Sequence, residues 1–100
     1  MVFSKFIVEG NNLIMAKCTY HKQLATDKTK VKGGGWFKFD ADKRAFIFGG
    51  ESHDFGRAKV EDIKNCIESD NIYNNSRCSR KIGNEFKFLY DTGSELIPLN

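Results

Sequence analysis

Short apolar runs joined by turn-forming residues make up most of this chain, and they restrict it to a fold built mainly from β-strands. Four of these runs form two consecutive pairs: residues 3–8 with 13–20, and residues 35–40 with 44–49. The first pair is joined by Gly10-Asn11-Asn12 and the second by Ala41-Asp42-Lys43. Runs of this length on either side of so few turn residues predict two β-hairpins.

The second predicted hairpin also indicates which way its side chains face. Phe37 and Phe39 alternate with Trp36 and Lys38, which is the two-residue period of a strand with one buried face. The partner run (44–49) is apolar on both faces, so we expect that strand to lie in the centre of the sheet.

One stretch has the periodicity of a helix. Val60, Ile63 and Ile67 recur at intervals of three and four residues, which predicts a helix from about residue 59 to 69 that packs through these side chains. Glu61 and Asp62 fall in its first turn, where carboxylates interact favourably with the helix dipole.

The remaining segments carry weaker patterns. Residues 21–32 hold four lysines and few apolar residues, and we expect one or two helical turns there. Residues 70–85 are polar and predict a long loop, whereas residues 85–91 alternate as a final strand. The tail that ends in ELIPLN is expected to pack weakly or fray. The sequence therefore predicts a single α+β domain over residues 1–100, with a mixed sheet of about five strands and one main helix on one face.

Composition excludes several classes of protein. With 40% hydrophobic residues among 100, the chain can bury one modest core, and no apolar run approaches the roughly 20 residues that cross a bilayer. No export signal is present at the N-terminus, and the widely spaced Cys18, Cys66 and Cys78 are typical of free thiols, so we expect a cytoplasmic protein with no membrane partner. Cys18 and His21 have the spacing of metal ligands, but no second pair completes a zinc site, and we expect neither a metal nor a cofactor.

A glycine-rich segment between the fourth strand and the helix is the strongest candidate for a binding site. Backbone N–H groups of such a loop can converge on a phosphate or another oxyanion, helped by the positive end of the helix dipole. The candidate anion-binding residues in this segment are Gly50, Ser52, His53, Asp54, Gly56 and Arg57. The alternative is that the glycines only permit a tight turn and Asp54 caps the helix.

A second glycine cluster lies at a defined distance from this loop. Gly33-Gly34-Gly35 is followed by fourteen residues and then by Gly50-Glu51-Ser52-His53-Asp54-Phe55-Gly56-Arg57-Ala58. This pattern resembles the janus/ocnus family, which includes the phosphohistidine phosphatases, over about residues 31–69. The resemblance implies a β-hairpin followed by a phosphate-binding loop and a helix, which agrees with the elements predicted from periodicity.

The resemblance also implies roles for individual residues. Ser52 matches the family's phosphate-binding serine, and Asp54 stands where the family usually has a small residue whose amide joins the same site. His21, preceded by Tyr20, matches the histidine that serves as the family's general base. Only eleven residues separate His21 from the glycine triplet, about half of what the family's helix and following strand require. His53 lies where the family has no catalytic residue, so we interpret it as a binding or solvent-exposed group.

Two functional classes follow from these residues. The first is a janus-like domain without catalytic activity that serves as a binding module for a protein, possible partners being a phosphorylated protein, or for another anionic ligand; the shortened segment and Asp54 favour this class. The second is a metal-free phosphatase that acts on phosphohistidine or phospholysine, with His21 as the base. Nucleic-acid binding ranks third, because a net charge of +3 without a clustered basic face is weak support for such a partner.

Overall fold

The computed structural model describes residues 3–74, 80–81 and 86–100. Its strands are β1 (Phe3–Glu9), β2 (Asn12–Cys18), β3 (Val31–Asp40), β4 (Ala45–Gly49), β5 (Ile72–Asn74), β6 (Arg80–Lys81), β7 (Lys87–Asp91) and β8 (Leu96–Pro98). One α-helix, α1 (Val60–Glu68), and two 3₁₀ turns (His21–Gln23 and Lys28–Lys30) complete the described elements. No helix within these residues has the length and apolarity needed to span a membrane.

The strands form one mixed sheet in the order β6-β5-β2-β1-β3-β4-β7-β8. The pairs β2–β5 and β4–β7 are parallel, and the other neighbours are antiparallel. The α+β class, the mixed sheet and both hairpins are as predicted, but the count of about five strands was wrong. Two of the additional strands, β5 and β6, lie within residues 70–85, which were predicted as a loop; residues 75–79 and 82–85 of that prediction lie outside the described residues.

The C-terminal tail packs firmly, contrary to the prediction that it frays. Strand β8 pairs with β7, and the side chain of Leu99 is 1% exposed. The Leu99 N–H donates to the Phe88 carbonyl at 2.7 Å, and the Asn100 side chain accepts from the Phe88 N–H at 3.0 Å. The tail is ordered because Leu99 completes the core while the edge of β7 supplies backbone partners.

The main core lies between α1 and one face of the sheet, as the helical periodicity predicted. Ile63, Cys66 and Ile67 are buried on the helix and pack in one cluster with the inward side chains of the sheet, such as Phe6 and Phe48. All five residues of β4 are buried between β3 and β7, which confirms its central position.

A smaller core covers the opposite face of β1 and β2. The chain between β2 and β3 lies across that face, with Leu24 buried against Ile7, Ala16 and Cys18. The two 3₁₀ turns in this segment confirm the predicted helical turns within residues 21–32. This short covering segment holds His21, so the smaller core positions the main candidate residue of the chain.

Replacing Ile63 with alanine tests the packing of α1. Ile63 is fully buried, so the substitution should lower the free energy of unfolding by about 2–4 kcal/mol through lost burial and the cavity that remains. Chemical denaturation measures the change, with Asn65→Ala on the exposed side of the same helix as the control. Equal effects of the two substitutions would contradict the packing described here.

Candidate functional site

The two glycine clusters noted in the sequence pack against each other. The Gly34 N–H donates to the Gly56 carbonyl at 3.0 Å, and Gly34 forms a parallel bridge with Arg57. A Cβ atom at Gly33 would lie only 2.6 Å from the backbone nitrogen of Ala58, closer than real side chains approach. The fourteen residues between the clusters form most of the β3–β4 hairpin, which brings the loop of residues 50–57 back onto the triplet. Close backbone packing therefore accounts for glycine at these positions.

Ser52 holds this loop together from the inside. Its side chain is nearly buried, at 3% exposure, and its Oγ accepts hydrogen bonds from the N–H groups of Asp54 (3.2 Å) and Phe55 (3.1 Å). The Ser52 and Gly56 backbones also exchange two hydrogen bonds, at 3.1 and 2.9 Å. The Asp54 amide, which the sequence offered to an anion, and the Phe55 amide thus both donate to the serine, and the loop forms a closed turn.

The other residues of the predicted anion site are at the surface or support the turn. Gly50 and Gly56 have φ values of +67° and +78°, the left-handed region that favours glycine. The side chains of His53, Asp54 and Arg57 are exposed to solvent. Asp54 does not cap the helix, whose first turn follows Lys59.

His21 lies in a confined position beside the glycine triplet. Its ring is 5% exposed, and Nε2 is 2.8 Å from the Gly35 carbonyl oxygen, to which it donates. A Cβ atom at Gly34 would approach Cδ2 of the ring to 3.1 Å, so the absence of a side chain at that residue leaves room for the imidazole. With the proton on Nε2, the other ring nitrogen, Nδ1, carries the lone pair.

The Nδ1 atom faces solvent. Within residues 3–74, 80–81 and 86–100, no buried side-chain nitrogen or oxygen lacks a hydrogen-bond partner, and no described residue bonds to Nδ1. His21 also lines an open groove of about 190 Å³. The groove is lined by Phe3, Ser4, Lys5, His21, Gly35, Trp36 and Glu51.

The surroundings of His21 favour the neutral form of its ring. Burial lowers the pKa of His21, and the ammonium of Lys5 lowers it further. The hydrogen bond to Gly35 and the carboxylate of Asp54 act in the opposite direction without reversing the shift. A neutral imidazole with a solvent-facing Nδ1 can accept a proton, or, once protonated, donate a hydrogen bond to an anion.

Glu9 anchors the segment that carries His21, a role that sequence reasoning missed. Its carboxylate is 7% exposed and accepts from the Thr26 N–H (2.7 Å), the Thr26 hydroxyl (2.5 Å) and the Asp27 N–H (3.0 Å). These bonds join the end of β1 to the chain between the two 3₁₀ turns. These charge-assisted hydrogen bonds therefore fix the covering segment against β1.

The thiols of the described residues are not suited to nucleophilic chemistry. Cys18 and Cys66 are free and buried, and burial raises the pKa of both, that of Cys66 to about 11. Cys78 lies outside the described residues. No group of three or more His, Cys, Asp or Glu side chains in the described part of the chain is arranged to hold a metal ion.

Of the seven residues that line the groove, only His21 was among the candidate site residues identified from the sequence. Lys5 and Trp36 are direct partners across β1 and β3, and Glu51 is the second residue of the loop after β4. A strand lysine and a strand tryptophan carry no local signal of a site, and only the pairing register brings them together.

No family model, curated protein or solved structure matches this chain. The resemblance to the janus/ocnus family therefore stays a prediction that depends on the residues and spacing of its two glycine clusters.

Replacing Ser52 with alanine separates a structural role from a ligand-binding role. The substitution leaves the Asp54 and Phe55 amides without their acceptor, so we expect a loss of about 1–3 kcal/mol in the free energy of unfolding. Thermal or chemical denaturation measures this loss, and His53→Ala, an exposed neighbour, is the control. Unchanged stability together with weakened sulfate binding would instead support the anion contact that the family resemblance implies.

Proposed function

We propose that this chain is a non-catalytic binding module for an anionic ligand, which it takes up in the groove beside His21. One observation carries the proposal: the N–H groups of Ser52, Asp54, Phe55 and Gly56 already donate within the predicted anion loop, whereas Lys5 and His21 line the open groove. A phosphorylated side chain of a protein is one ligand with this chemistry.

The charges around the groove predict whether a given substitution raises or lowers the affinity for an anion. Lys5 attracts an anion, and protonation of His21 adds a second cation with a donor at Nδ1. Glu51 lines the same groove and repels an anion. Both effects weaken in salt, because partly exposed charges are screened over about 10 Å at 0.1 M ionic strength.

A sulfate titration followed by backbone amide NMR tests the proposal. We expect saturable shifts centred on Lys5, His21 and Trp36, with affinity reduced several-fold by Lys5→Gln and increased by Glu51→Gln. Lys43→Gln, an exposed lysine in the β3–β4 turn, should leave the affinity unchanged. Shifts confined to residues 50–57, or the absence of saturable shifts, would contradict the proposal.

Phosphoramidate hydrolysis is the second candidate, and the geometry of His21 favours it. A neutral imidazole held by the Gly35 carbonyl can take a proton at Nδ1 from a water molecule as that water attacks phosphorus. The P–N bond then breaks, and the leaving nitrogen takes the proton that the His21 imidazolium returns, departing as the lysine amine or the histidine imidazole. This function also requires phosphate binding by the 50–57 loop, where Ser52 can still donate its hydroxyl hydrogen.

Turnover of phosphoramidate in the presence of EDTA decides between the two candidates. The phosphatase predicts inorganic phosphate release that is lost in His21→Gln and persists in His53→Gln. The binding module predicts no release above background for any of the three proteins, while sulfate still binds in the groove.

A further inference from the structure

Two exposed aromatic rings, Phe3 and Trp36, line the groove of His21, and a third, Tyr20, directly precedes His21 in the chain; a lysine ammonium lies over each ring. Phe3, Tyr20 and Trp36 are 52%, 55% and 37% exposed. The ammonium groups lie 5.4–5.9 Å from the ring centroids. The three ring–lysine pairs, here called the aromatic–lysine face, are Phe3 with Lys5, Tyr20 with Lys22, and Trp36 with Lys38.

The sheet register places two of these pairs on one face of the sheet. Lys5 and Trp36 are direct cross-strand partners, so they point to the same face of the sheet. Phe3 lies two residues from Lys5 in β1, and Lys38 lies two residues from Trp36 in β3, so both side chains point to that same face. Tyr20 and Lys22 flank His21, which lines the same groove. The basic cluster absent from the linear sequence is therefore present in the fold.

We propose that the aromatic–lysine face binds single-stranded nucleic acid. Each nucleotide supplies one flat base and one phosphate, which matches one ring and one ammonium in each pair. An acidic peptide supplies charges for the lysines but no regular series of flat groups for the rings. A duplex hides the faces of its bases, so an unpaired strand fits this surface better. The inference depends on the proposed function, because it names the ligand class of the same groove.

The chain contains one tryptophan, and it lies in this face, so its fluorescence reports binding directly. An oligothymidylate of about ten nucleotides should quench Trp36 saturably, since site sizes of single-strand binders run from about 4 to 16 nucleotides. With three ammonium groups engaged, the slope of log affinity against log salt is about −2, so affinity should fall about 20-fold between roughly 50 and 200 mM salt. Trp36 serves as the probe and is not substituted, because its indole packs on Gly49 and Gly50 and its removal would also disturb the fold.

Two matched sets of variants test the face itself. A triple variant of the face should lose most of its affinity for the oligonucleotide and show a salt slope close to zero; it combines Lys5→Gln, Lys22→Gln and Lys38→Gln. A control triple variant should keep nearly the same affinity and slope; it combines Lys17→Gln, Lys43→Gln and Lys59→Gln. Phe3→Ala should weaken binding at least about 5-fold through lost stacking. Phe39→Ala, a 46% exposed phenylalanine on the opposite face of β3 from Trp36, should not.

Several results overturn the inference. One is the absence of saturable quenching, and another is an equal loss of affinity in the two triple lysine variants. A third is binding of a duplex or of polyglutamate that is as tight as binding of the oligothymidylate. Sulfate binding in the groove without oligothymidylate binding overturns this inference alone and leaves the proposed function standing. If neither sulfate nor the oligothymidylate binds, both this inference and the proposed function are wrong.

Discussion

Glu9→Ala should lower the free energy of unfolding by about 3–4 kcal/mol, because it removes the acceptor of three hydrogen bonds at once. The N–H groups of Thr26 and Asp27 and the Thr26 hydroxyl then lose their shared partner. The segment they hold carries His21, so the hydrogen bond from Nε2 to the Gly35 carbonyl should weaken as well.

Chemical denaturation gives the stability change, and the imidazole resonances of His21 report the effect on the groove. Glu9→Gln keeps one acceptor oxygen, so its loss of stability should be roughly half as large. Glu51→Ala removes an exposed carboxylate and should have little effect. A stability loss below about 1 kcal/mol for Glu9→Ala would show that the covering segment is held by other contacts.

Gly35→Ala should abolish the folded state or lower the free energy of unfolding by about 3 kcal/mol or more. The added Cβ atom would overlap the carbonyl oxygen of Gly49, on the strand paired with β3. Because this neighbour is backbone in the middle of the sheet, it cannot rotate away as a side chain can, and the strands must separate.

Circular dichroism and resistance to proteolysis measure this effect. Gly10→Ala is the control, since a Cβ at Gly10 meets no atom within 4 Å and only the φ of +59° opposes it, at about 1–2 kcal/mol. If Gly35→Ala folds with the stability of Gly10→Ala, the close approach of β3 and β4 is not as described.

The parts of the fold that follow from local periodicity were predictable from the sequence. Residues 35–40 and 44–49 alternate or are uniformly apolar, and they form the centre of the sheet; Val60, Ile63 and Ile67 set the buried side of α1. Strands β5 and β8 have three residues each, too few for alternation to be visible. They are strands because the edges of β2 and β7 offer backbone partners, which is a property of the assembled sheet.

The candidate site was predictable by residue type but not by the role of each residue. Chemistry and spacing identified His21 and Ser52, yet their hydrogen-bond partners are set by the tertiary fold. His21 bonds to a carbonyl fourteen residues away, and Ser52 Oγ accepts from the Asp54 amide, which the sequence had assigned to an anion, and from the Phe55 amide. Lys5 and Trp36 become neighbours only through the β1–β3 register, so no local pattern marks them.

The titration of His21 with and without sulfate is the most direct test of anion binding in the groove. Sulfate keeps its two negative charges across the pH range in which an imidazole titrates, so a change in the curve reports binding near the ring. Burial lowers the pKa of His21 in the free protein, and we predict that saturating sulfate raises this pKa again, because the bound anion stabilises the protonated ring. The resonances of exposed His53 should not respond to sulfate. A His21 pKa that is the same with and without sulfate would show that the groove does not bind anions, and would contradict the account.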